Sequence, residues 1–262
     1  MALFHVNFLS KALFSNTGVT VFIPSMLFGD IAAGEPYPYK PGSKYPVLYL
    51  LHGYSGDHTD WITRTNVLGY AEERKLALVM PGVWDSYYCD IAQGKDFWRY
   101  VSEELPLFIE SMFPVSGKRE DTFAAGLSMG GYGAMRLALL QPGRFAAAAT
   151  LSGFLDVAQT KGETLQAIAQ SYKKAFGEKD PVGTGYDLLH LLEKCAGMGV
   201  ELPKIYQSCG TSDDLLCGNR NFHAKARALN IDIEYTEEAG AMHEWGFWDR
   251  QIKQVIKWLP MK

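Results

Sequence analysis

Apolar and polar residues alternate in the first segment of the chain. Phe4, Val6 and Phe8 would lie on one side of a strand, with the polar residues between them on the other. The same alternation returns at residues 19–23, after the turn-forming sequence Ser-Asn-Thr-Gly at 15–18. Alternation with a period of two on both sides of a turn predicts a pair of antiparallel strands.

After residue 46 the apolar residues instead form short continuous runs. Strands that are apolar on both faces are typical of a parallel sheet that helices cover on each side. The predicted strands of this sheet, including one just before the C-terminal helix, occupy residues 47–51, 76–80, 123–126, 145–151, 205–209 and 231–235.

Apolar residues at helical spacing lie between several of these runs. The spacing predicts helices over 96–112, where Pro106 should kink or break the helix, over 130–140 and over 248–259. Strands that alternate with helices predict an α/β fold with a mostly parallel sheet and helices on both faces. The length fits a single domain that spans residues 1–262.

The interval between residues 154 and 202 is too long for a simple crossover between two strands. It contains two helical patterns, one at residues 165–172 and one at 188–192. Ligands bind at the carboxyl ends of the strands in open α/β folds. We therefore expect this insertion to form a helical cap over that edge of the sheet.

Composition and charge argue against several classes of function. The 262 residues carry 25 basic and 29 acidic side chains, and a net charge of −4 without a basic run disfavours nucleic-acid binding. No segment has the roughly 18–20 uninterrupted apolar residues that a membrane helix needs. Polar residues such as Asn7 and Lys11 interrupt what would be the apolar core of a signal peptide. We therefore expect a cytoplasmic protein that binds neither nucleic acid nor membrane.

The four cysteines favour the same location. Cys89, Cys195, Cys209 and Cys217 include no C-x-x-C pair and no metal-ligand spacing. This usage is typical of reduced thiols in the cytosol. A bridge between Cys209 and Cys217 is conceivable because a turn could bring them together, but nothing in the sequence requires it.

Residues 126–130 match the pattern Gly-x-Ser-x-Gly. The motif directly follows a predicted strand and directly precedes a predicted helix, as a nucleophile elbow requires. Gly126 and Gly130 would leave room for the sharp turn at Ser128. The turn would also place Ser128 at a helix N-terminus, whose dipole stabilises developing negative charge. Ser128 is therefore the predicted nucleophile.

A serine hydroxyl needs a base to remove its proton, and in this type of site the acid and then the histidine follow the serine in sequence. Three histidines follow Ser128. His190 lies in a predicted cap helix and His223 in a helix, whereas His243 lies in the loop between the last strand and the last helix. That loop is where the base belongs, so His243 is the predicted base.

The acid that orients the base should follow the strand at 205–209. Asp213 and Asp214 both lie in the next loop, and either could hold the imidazole through Nδ1. The distance from the end of the strand favours Asp213. Asp214 could instead cap the helix that follows.

A tetrahedral oxyanion needs two preorganised N–H donors. One is the backbone amide of Met129, the residue after the nucleophile. The other should come from the loop after the strand at 47–51, where the amide of Tyr54 is the first choice and that of Gly53 the second. We expect the side chain of His52 to be a structural hydrogen-bonding group in that loop.

Aromatic residues are frequent in the loops at the same predicted edge. Core or rim packing explains such residues in general, but an apolar acyl pocket would use the same side chains. The candidates for substrate binding are Trp61, Trp84, Tyr87 and Tyr88.

A metal site in the loop after the first parallel strand is a further possibility. His52, Asp57, His58 and Asp60 lie close together in sequence, but their spacing fits no zinc pattern. Charged residues after a glycine-rich loop are usually solvated. We therefore expect neither a metal nor a cofactor.

Five segments together resemble the signature blocks of the tributyrin esterase branch of the esterase D-like α/β-hydrolases. They occur in the family's order from about residue 45 to the C-terminus, and only the interval 154–202 lacks a block. The segments are LYLLHGYSGDHTDW, SYYCDIAQGKDFWRYVSEELP, FAAGLSMGGYGAMRLAL, CGTSDDLL and GAMHEWGFWD.

The resemblance implies the α/β-hydrolase fold and carboxylesterase activity on short acyl chains. Carried over position by position, it implies a triad of Ser128, Asp213 and His243, with oxyanion donors that are the same two amides chosen above. Asp214 stands where relatives often carry an aromatic residue. The family also contains S-formylglutathione hydrolases, feruloyl and acetyl-sugar esterases, and mycolyltransferases, so membership does not choose the alcohol part of the ester.

The sequence thus predicts a serine carboxylesterase that acts on a small-molecule acyl ester through an acyl-enzyme. One alternative is a thioesterase of the S-formylglutathione hydrolase type. Another is a non-catalytic protein that has the α/β-hydrolase fold and only binds a ligand or partner in the cleft where the active site would be. A homo-oligomer is also possible, because a cap helix with an exposed apolar stripe could dock on a second subunit.

Overall fold

The computed structural model describes residues 1–36, 40–90, 94–159, 176–177 and 180–261. Within these ranges the chain forms one eight-stranded sheet. Its strands are β1 (Ala2–Ser10), β2 (Ser15–Ile23), β3 (Val47–Leu51), β4 (Ala77–Pro81), β5 (Thr122–Leu127), β6 (Ala147–Leu151), β7 (Lys204–Gly210) and β8 (Glu234–Glu238).

The strand order in the sheet is β1-β2-β4-β3-β5-β6-β7-β8. β2 pairs antiparallel with both β1 and β4, and all the other neighbours are parallel. Since β3 to β8 run the same way, the loops that follow them all leave from one edge of the sheet. The predicted α/β class is confirmed.

The helices of the described chain lie between these strands and after the last of them. They are α1 (Phe28–Ala32), α2 (Asp60–Arg64), α3 (Val67–Glu73), α4 (Phe97–Arg99), α5 (Leu105–Met112), α6 (Met129–Leu140), α7 (Leu188–Met198), α8 (Leu216–Ala228) and α9 (Trp245–Trp258), with a π-helical turn at Tyr100–Glu104 and 3₁₀ turns at Arg119–Asp121 and Val157–Gln159.

Two apolar cores cover the two faces of the sheet. Because side chains alternate along a strand, even-numbered residues of β3 such as Leu48 and Leu50 pack with α3 and α9. Odd-numbered residues such as Val47 and Tyr49 pack in the core formed with α5, α6, α7 and α8. Helices on both faces explain why the central strands are apolar throughout.

The predicted antiparallel pair forms, but its turn is at residues 11–14 rather than 15–18, which belong to β2. The carboxylate of Glu104 fixes this turn, since it accepts hydrogen bonds from the Ser10 hydroxyl and from the amides of Lys11 and Ala12. The turn position thus depends on a residue more than 90 positions away, which local sequence does not reveal.

The predicted helix over 96–112 is continuous through Pro106 rather than broken by it. Pro106 is the second residue of α5, and the turn before it is π-helical. A proline removes a backbone donor and its ring displaces the carbonyl of the preceding turn. The wider π-helical turn accommodates that change, so the bend is absorbed without ending the helix.

The last strand starts three residues later than the sequence predicts. Residues 231–235 were expected as β8, but the strand is Glu234–Glu238. The apolar residues Ile231 and Ile233 instead pack against the core before the strand begins. β8 lies at the edge of the sheet and is mostly polar, which is why hydrophobicity misplaced it.

Of the predicted cap at 154–202, the first helical pattern (165–172) lies outside the described residues. The second pattern forms α7, whose buried residues Leu188, Leu191 and Leu192 belong to the same core as α6 and α8. α7 is therefore part of the helical layer on one face of the sheet. A cap formed by the rest of the insertion, within a single domain, stays a prediction.

None of the helices in the described ranges is long and apolar enough to cross a membrane. None of the four cysteines is in a disulfide, and three of them are buried. The conceivable bridge between Cys209 and Cys217 is not formed.

Candidate active site

Ser128 lies at a sharp turn between β5 and α6. Its backbone has a φ of 52° and a ψ of −117°, a conformation that residues other than glycine rarely adopt. The Ser128 amide donates to the carbonyl of Leu151 at 2.9 Å, which ties the turn to the end of β6. The turn leaves Ser128 partly exposed at the junction of strand and helix, as the predicted nucleophile elbow requires.

The glycines on either side of Ser128 have no room for a side chain. A Cβ on Gly126 would lie 2.3 Å from the carbonyl carbon of Gly130. A Cβ on Gly130 would lie 2.3 Å from the carbonyl oxygen of Leu51 and 2.6 Å from that of His52. These neighbours are backbone atoms, so they cannot move aside without distorting the loop after β3.

We expect Gly130→Ala to lower the free energy of unfolding by about 3 kcal/mol or more, because the clash with rigid backbone is a severe case of overpacking. Urea unfolding followed by tryptophan fluorescence measures it. Gly143→Ala is the matched control, since no atom lies within 4 Å of a Cβ there. Equal stabilities for the two variants would contradict the steric role of Gly130.

The loop after β3 carries the predicted oxyanion donor Tyr54. Neither its amide nor that of Met129, the first residue of α6, donates a hydrogen bond to another group in the part of the chain that the structure describes. The first amides of a helix have no acceptor within the helix. Both N–H groups are therefore available to a ligand, as an oxyanion hole requires.

His52 holds this loop in place. Its Nδ1–H donates to the Gly53 carbonyl at 2.7 Å, and its Nε2 accepts from the Val83 amide at 3.1 Å. This pair of bonds requires the neutral ring, and burial lowers the pKa of His52 accordingly. The structural role that the sequence predicts for His52 matches these contacts. Nearby, the carboxylate of Asp85 accepts from the Ser55 amide at 2.6 Å.

Two of the four predicted substrate-binding aromatics support the same loop. The Trp61 indole N–H donates to the Leu51 carbonyl at 3.0 Å, and the Tyr88 hydroxyl donates to the His52 carbonyl at 2.9 Å. Both side chains are fully buried. Their polar atoms are thus used by the backbone that carries Tyr54.

The other two aromatics lie in the loop after β4 and differ in exposure. Trp84 is 59% exposed and lies under the Lys95 ammonium, 4.5 Å from its ring centre. Tyr87 is buried and packs edge-on against Phe154, with ring centres 5.7 Å apart. The Phe154 amide donates to the Ser128 carbonyl at 3.2 Å, so Tyr87 lies close to the elbow.

The structure brings Asp213 and His243 together. His243 Nδ1 lies 2.9 Å from Asp213 Oδ2 and 3.2 Å from Oδ1. The Asp213 carboxylate is buried, whereas the His243 side chain is 35% exposed. Burial alone would raise the pKa of Asp213, but the hydrogen bond and charge of His243, together with the hydrogen bond from the Leu215 amide, outweigh it and lower that pKa. Asp213 is therefore ionised and holds Nδ1 as a donor, which leaves Nε2 free.

Hydrogen bonds between the loops after β7 and β8 bring Asp213 and His243 together. The amide of Thr211 donates to the Glu238 carbonyl at 2.9 Å, and that of Ser212 donates to the Ala241 carbonyl at 3.0 Å. A Cβ on Gly210 would lie 2.2 Å from the same Ala241 oxygen, so glycine permits the close approach. The loops after β7 and β8 are thus joined just before their functional residues.

Asp214 is exposed, and the contacts of His243 Nδ1 are with the carboxylate of Asp213. The sequence left open that it caps the following helix, but the cap position of α8 is Leu215, whose side chain makes no capping bond. The Leu215 amide instead donates to Asp213 Oδ1 at 2.8 Å. Of the two aspartates, Asp213 is the one that contacts the histidine.

Contacts through Ser152 and Trp248 connect the histidine to the elbow. Trp248 packs edge-on against His243, with ring centres 4.8 Å apart, and its indole N–H donates to the Ser152 hydroxyl at 3.1 Å. Ser152 follows Leu151, whose carbonyl accepts from the Ser128 amide. Sequence reasoning assigned Trp248 to the apolar stripe of α9 and did not single out Ser152. In the sequence, the signal that could have identified Ser152 is its position directly after the predicted strand at 145–151.

Among the described residues, no three His, Cys, Asp or Glu side chains lie where they could hold a metal ion. His58 Nδ1 lies 2.8 Å from the Thr20 hydroxyl, and Asp57 accepts from both the amide and the hydroxyl of Thr59. These side chains of the loop after β3 therefore serve local structure.

The model of the putative esterase family matches residues 31–259. The acetyl esterase of Caldicellulosiruptor saccharolyticus is 31% identical and aligns over 99% of this chain and 98% of its own. Two solved structures from Staphylococcus aureus are 29% identical over 98% of both chains: the fluorophosphonate-binding serine hydrolase F, with a TM-score of 0.86, and an S-formylglutathione hydrolase, with a TM-score of 0.81.

These similarities agree with the sheet and the strand–serine–helix turn described above. They confirm the predicted α/β-hydrolase fold and the predicted enzyme class, while the tributyrin esterase branch stays a prediction. The chain belongs to the putative esterase family and is a carboxylic ester hydrolase.

Proposed function

We propose that this protein is a serine carboxylesterase that hydrolyses short-chain acyl esters of small molecules. Ser128 is the nucleophile, His243 the general base and Asp213 the acid that orients it. The observation that carries the proposal is the buried Asp213 carboxylate on Nδ1 of His243, at the same sheet edge as the strained elbow. Similarity to an acetyl esterase and to a fluorophosphonate-binding serine hydrolase supports it.

The reaction follows from the roles of these groups. His243 Nε2 takes the hydroxyl proton as Ser128 attacks the acyl carbon, and the amides of Tyr54 and Met129 bind the oxyanion. His243 then gives that proton to the leaving alcohol, and the acyl group remains on Ser128. Water, activated by His243 in the same way, attacks the acyl-enzyme and releases the acid.

The preference for short acyl chains is supported by the packing next to the elbow. Tyr87, Tyr132 and Phe154 contact one another there, and all three are buried. Rings that already fill this space limit the depth available for an acyl chain. We keep Trp84 and Tyr87 as candidates for substrate contact. Trp61 and Tyr88 instead support the loop after β3, which carries the oxyanion donor Tyr54.

A fluorophosphonate probe tests whether the site is a competent serine hydrolase. We expect it to add one equivalent to the folded protein and peptide mass spectrometry to place the adduct on Ser128, because only an activated serine attacks the probe quickly. Heat-denatured protein serves as the control and should not react. Labelling at another serine, or no labelling of folded protein, would contradict the proposal.

A hydrolysis series tests the acyl specificity. We expect turnover of p-nitrophenyl esters to peak at two to four carbons and to fall by about tenfold or more at ten carbons, because longer chains must displace packed rings. Acetylated xylose and methyl ferulate are measured in the same assay. The first tests a sugar as the alcohol part of the ester, and the second tests a phenolic acyl group. Equal turnover from acetyl to decanoyl would contradict a shallow pocket.

The similarity to the S-formylglutathione hydrolase of Staphylococcus aureus favours a thioester as the second candidate substrate. The same triad would cleave it by the same steps, with a thiol as leaving group. Turnover of S-formylglutathione is compared with that of an oxygen ester of the same acyl length. If kcat/KM for the thioester exceeded kcat/KM for the best oxygen ester, the protein would be better described as a thioesterase.

A further inference from the structure

Three tryptophans connect His243 to the loop after β3 through edge-on ring contacts. Trp248 meets the His243 ring with centres 4.8 Å apart and planes at 87°. Trp245 meets Trp248 at 5.1 Å and 85°, and Trp61 meets Trp245 at 5.6 Å and 88°. Near-perpendicular rings at these separations are a favoured arrangement of aromatic pairs. We call Trp61, Trp245 and Trp248 the tryptophan cluster.

Indole hydrogen bonds fix both ends of the tryptophan cluster to the sheet. The Trp248 N–H donates at 3.1 Å to the hydroxyl of Ser152, which directly follows β6. The Trp61 N–H donates at 3.0 Å to the carbonyl of Leu51, the last residue of β3. Trp61 and Trp248 are both buried. A buried N–H that loses its acceptor costs free energy, so neither end ring turns freely.

Trp245 is the link between the two end rings, since it contacts both. It is the first residue of α9 and follows His243 by two positions. The first turns of this helix are tied to the start of α3, because the Asp249 carboxylate accepts from the Asn66 amide at 2.9 Å and from the Tyr70 hydroxyl at 3.1 Å. Since α2 ends just before α3 begins, these bonds hold the beginning of α9 next to α2.

Two groups of the proposed site lie at the ends of the tryptophan cluster. At one end, the side chain of His243 is 35% exposed, and hydrogen bonds fix the Nδ1 side of its ring. At the other end, the bond from Trp61 to Leu51 closes the loop that carries Tyr54. A general base and an oxyanion donor must each lie roughly 3 Å from their partners in the reaction, so the rate depends on their relative position.

We propose that Trp245 and Trp248 are positioning residues that fix the imidazole of His243 relative to the loop that carries Tyr54. The inference rests on the proposed function, because it takes His243 as the base and the Tyr54 amide as an oxyanion donor. Acylation and deacylation use the same base and the same donors. Loss of a ring from the tryptophan cluster therefore slows both steps and leaves ester binding nearly unchanged.

The test is Trp245→Leu, which keeps an apolar side chain and removes the linking ring. We expect kcat for p-nitrophenyl acetate to fall about tenfold or more with KM within about twofold, because a displaced base slows both steps. The rate constant for labelling of Ser128 by a fluorophosphonate should fall by a similar factor, since the probe needs the same base and donors. Trp245→Phe, which restores a ring, should recover kcat to within about threefold of the wild type.

Trp258→Leu is the matched control, because Trp258 is the last residue of the same helix and is also partly buried. It packs on Tyr206, with ring centres 5.5 Å apart. At 1.5 Å per residue it lies about 20 Å from Trp245 along the helix. We expect both leucine variants to lower the melting temperature, but Trp258→Leu should keep kcat and the labelling rate within about twofold of the wild type. A loss of activity confined to Trp245→Leu separates positioning from general destabilisation.

Trp248→Phe tests whether the two positioning residues act together, because it removes the bond to Ser152 and keeps a ring against His243. We expect kcat to fall about fivefold, since the ring is then less firmly held. The double variant of Trp245→Leu and Trp248→Phe should lie no more than about twofold below Trp245→Leu alone, because both changes affect one cluster.

Several outcomes would overturn the proposal. They are unchanged kcat and labelling rates in Trp245→Leu and Trp248→Phe, an equal loss of kcat in Trp258→Leu, a rise in KM alone, and fully multiplicative losses in the double variant. Should Trp245→Leu not fold, Trp248→Phe is judged by the same kcat and labelling criteria. Failure of the proposed function is distinguishable, because the wild type would then neither take the probe at Ser128 nor hydrolyse the esters.

Discussion

Replacing Ser128 by alanine is expected to lower kcat for p-nitrophenyl acetate by about four to six orders of magnitude. The acyl group has no other acceptor at the elbow, so only the oxyanion hole and binding would still assist attack by water. KM should change little, because the hydroxyl contributes little to ground-state binding. Initial rates at saturating substrate measure the effect.

The control for this variant is Ser111→Ala, which removes an exposed serine hydroxyl on α5, where it donates to the Leu107 carbonyl. Both variants should have wild-type circular dichroism spectra and melting temperatures. A Ser128→Ala enzyme that keeps more than about a tenth of the wild-type kcat would rule out the acyl-enzyme mechanism.

Asp213→Asn is expected to lower kcat by about three to four orders of magnitude. The amide group that replaces the carboxylate would present N–H to Nδ1 of His243, which favours the tautomer that cannot take a proton at Nε2. It also removes the charge that stabilises the imidazolium. Because acyl transfer is then slow, kcat should fall while KM stays nearly constant.

Asp214→Asn is the matched variant, because it makes the same chemical change at the neighbouring exposed aspartate. We expect its kcat to stay within about twofold of the wild type, as is usual for surface positions. If Asp214→Asn were the inactive variant and Asp213→Asn the active one, the acid would have to be reassigned to Asp214.

The elbow could be predicted from sequence because all of its determinants are local. β5, the motif at 126–130 and α6 follow one another without interruption, and each of the two glycines stands two residues from Ser128, whose strained backbone they permit. A local pattern of this kind predicts both the backbone conformation of the turn and the chemical role of its serine. The order of acid and histidine along the chain then limited the base to a few candidates.

The two misplaced elements show where local patterns fail. The hairpin turn at 11–14 is fixed by Glu104, and the start of β8 is fixed by pairing with β7 although its sequence is mostly polar. In both cases a distant partner decided the boundary. Pro106 is a third example, since a π-helical turn keeps the helix continuous.

The aromatic residues were ambiguous for a related reason. Trp61 lies in α2, Trp84, Tyr87 and Tyr88 lie in the loop after β4, and an aromatic side chain can pack in a core or line a pocket equally well. Only burial and the partners of their polar atoms separate the two roles. Trp61 and Tyr88 donate to the Leu51 and His52 carbonyls, where β3 passes into the following loop, whereas Trp84 is exposed.

The sequence by itself determined the fold class of this protein and predicted Ser128 as its nucleophile and His243 as its base, because strand and helix periodicity and a glycine-flanked serine are properties of neighbouring residues. Only the tertiary structure decided which aspartate meets His243, through the contacts of Nδ1 with both carboxylate oxygens of Asp213. Those contacts join loops that are 30 or more residues apart, and the hydrogen bonds and close packing that select them exist only once the sheet has assembled.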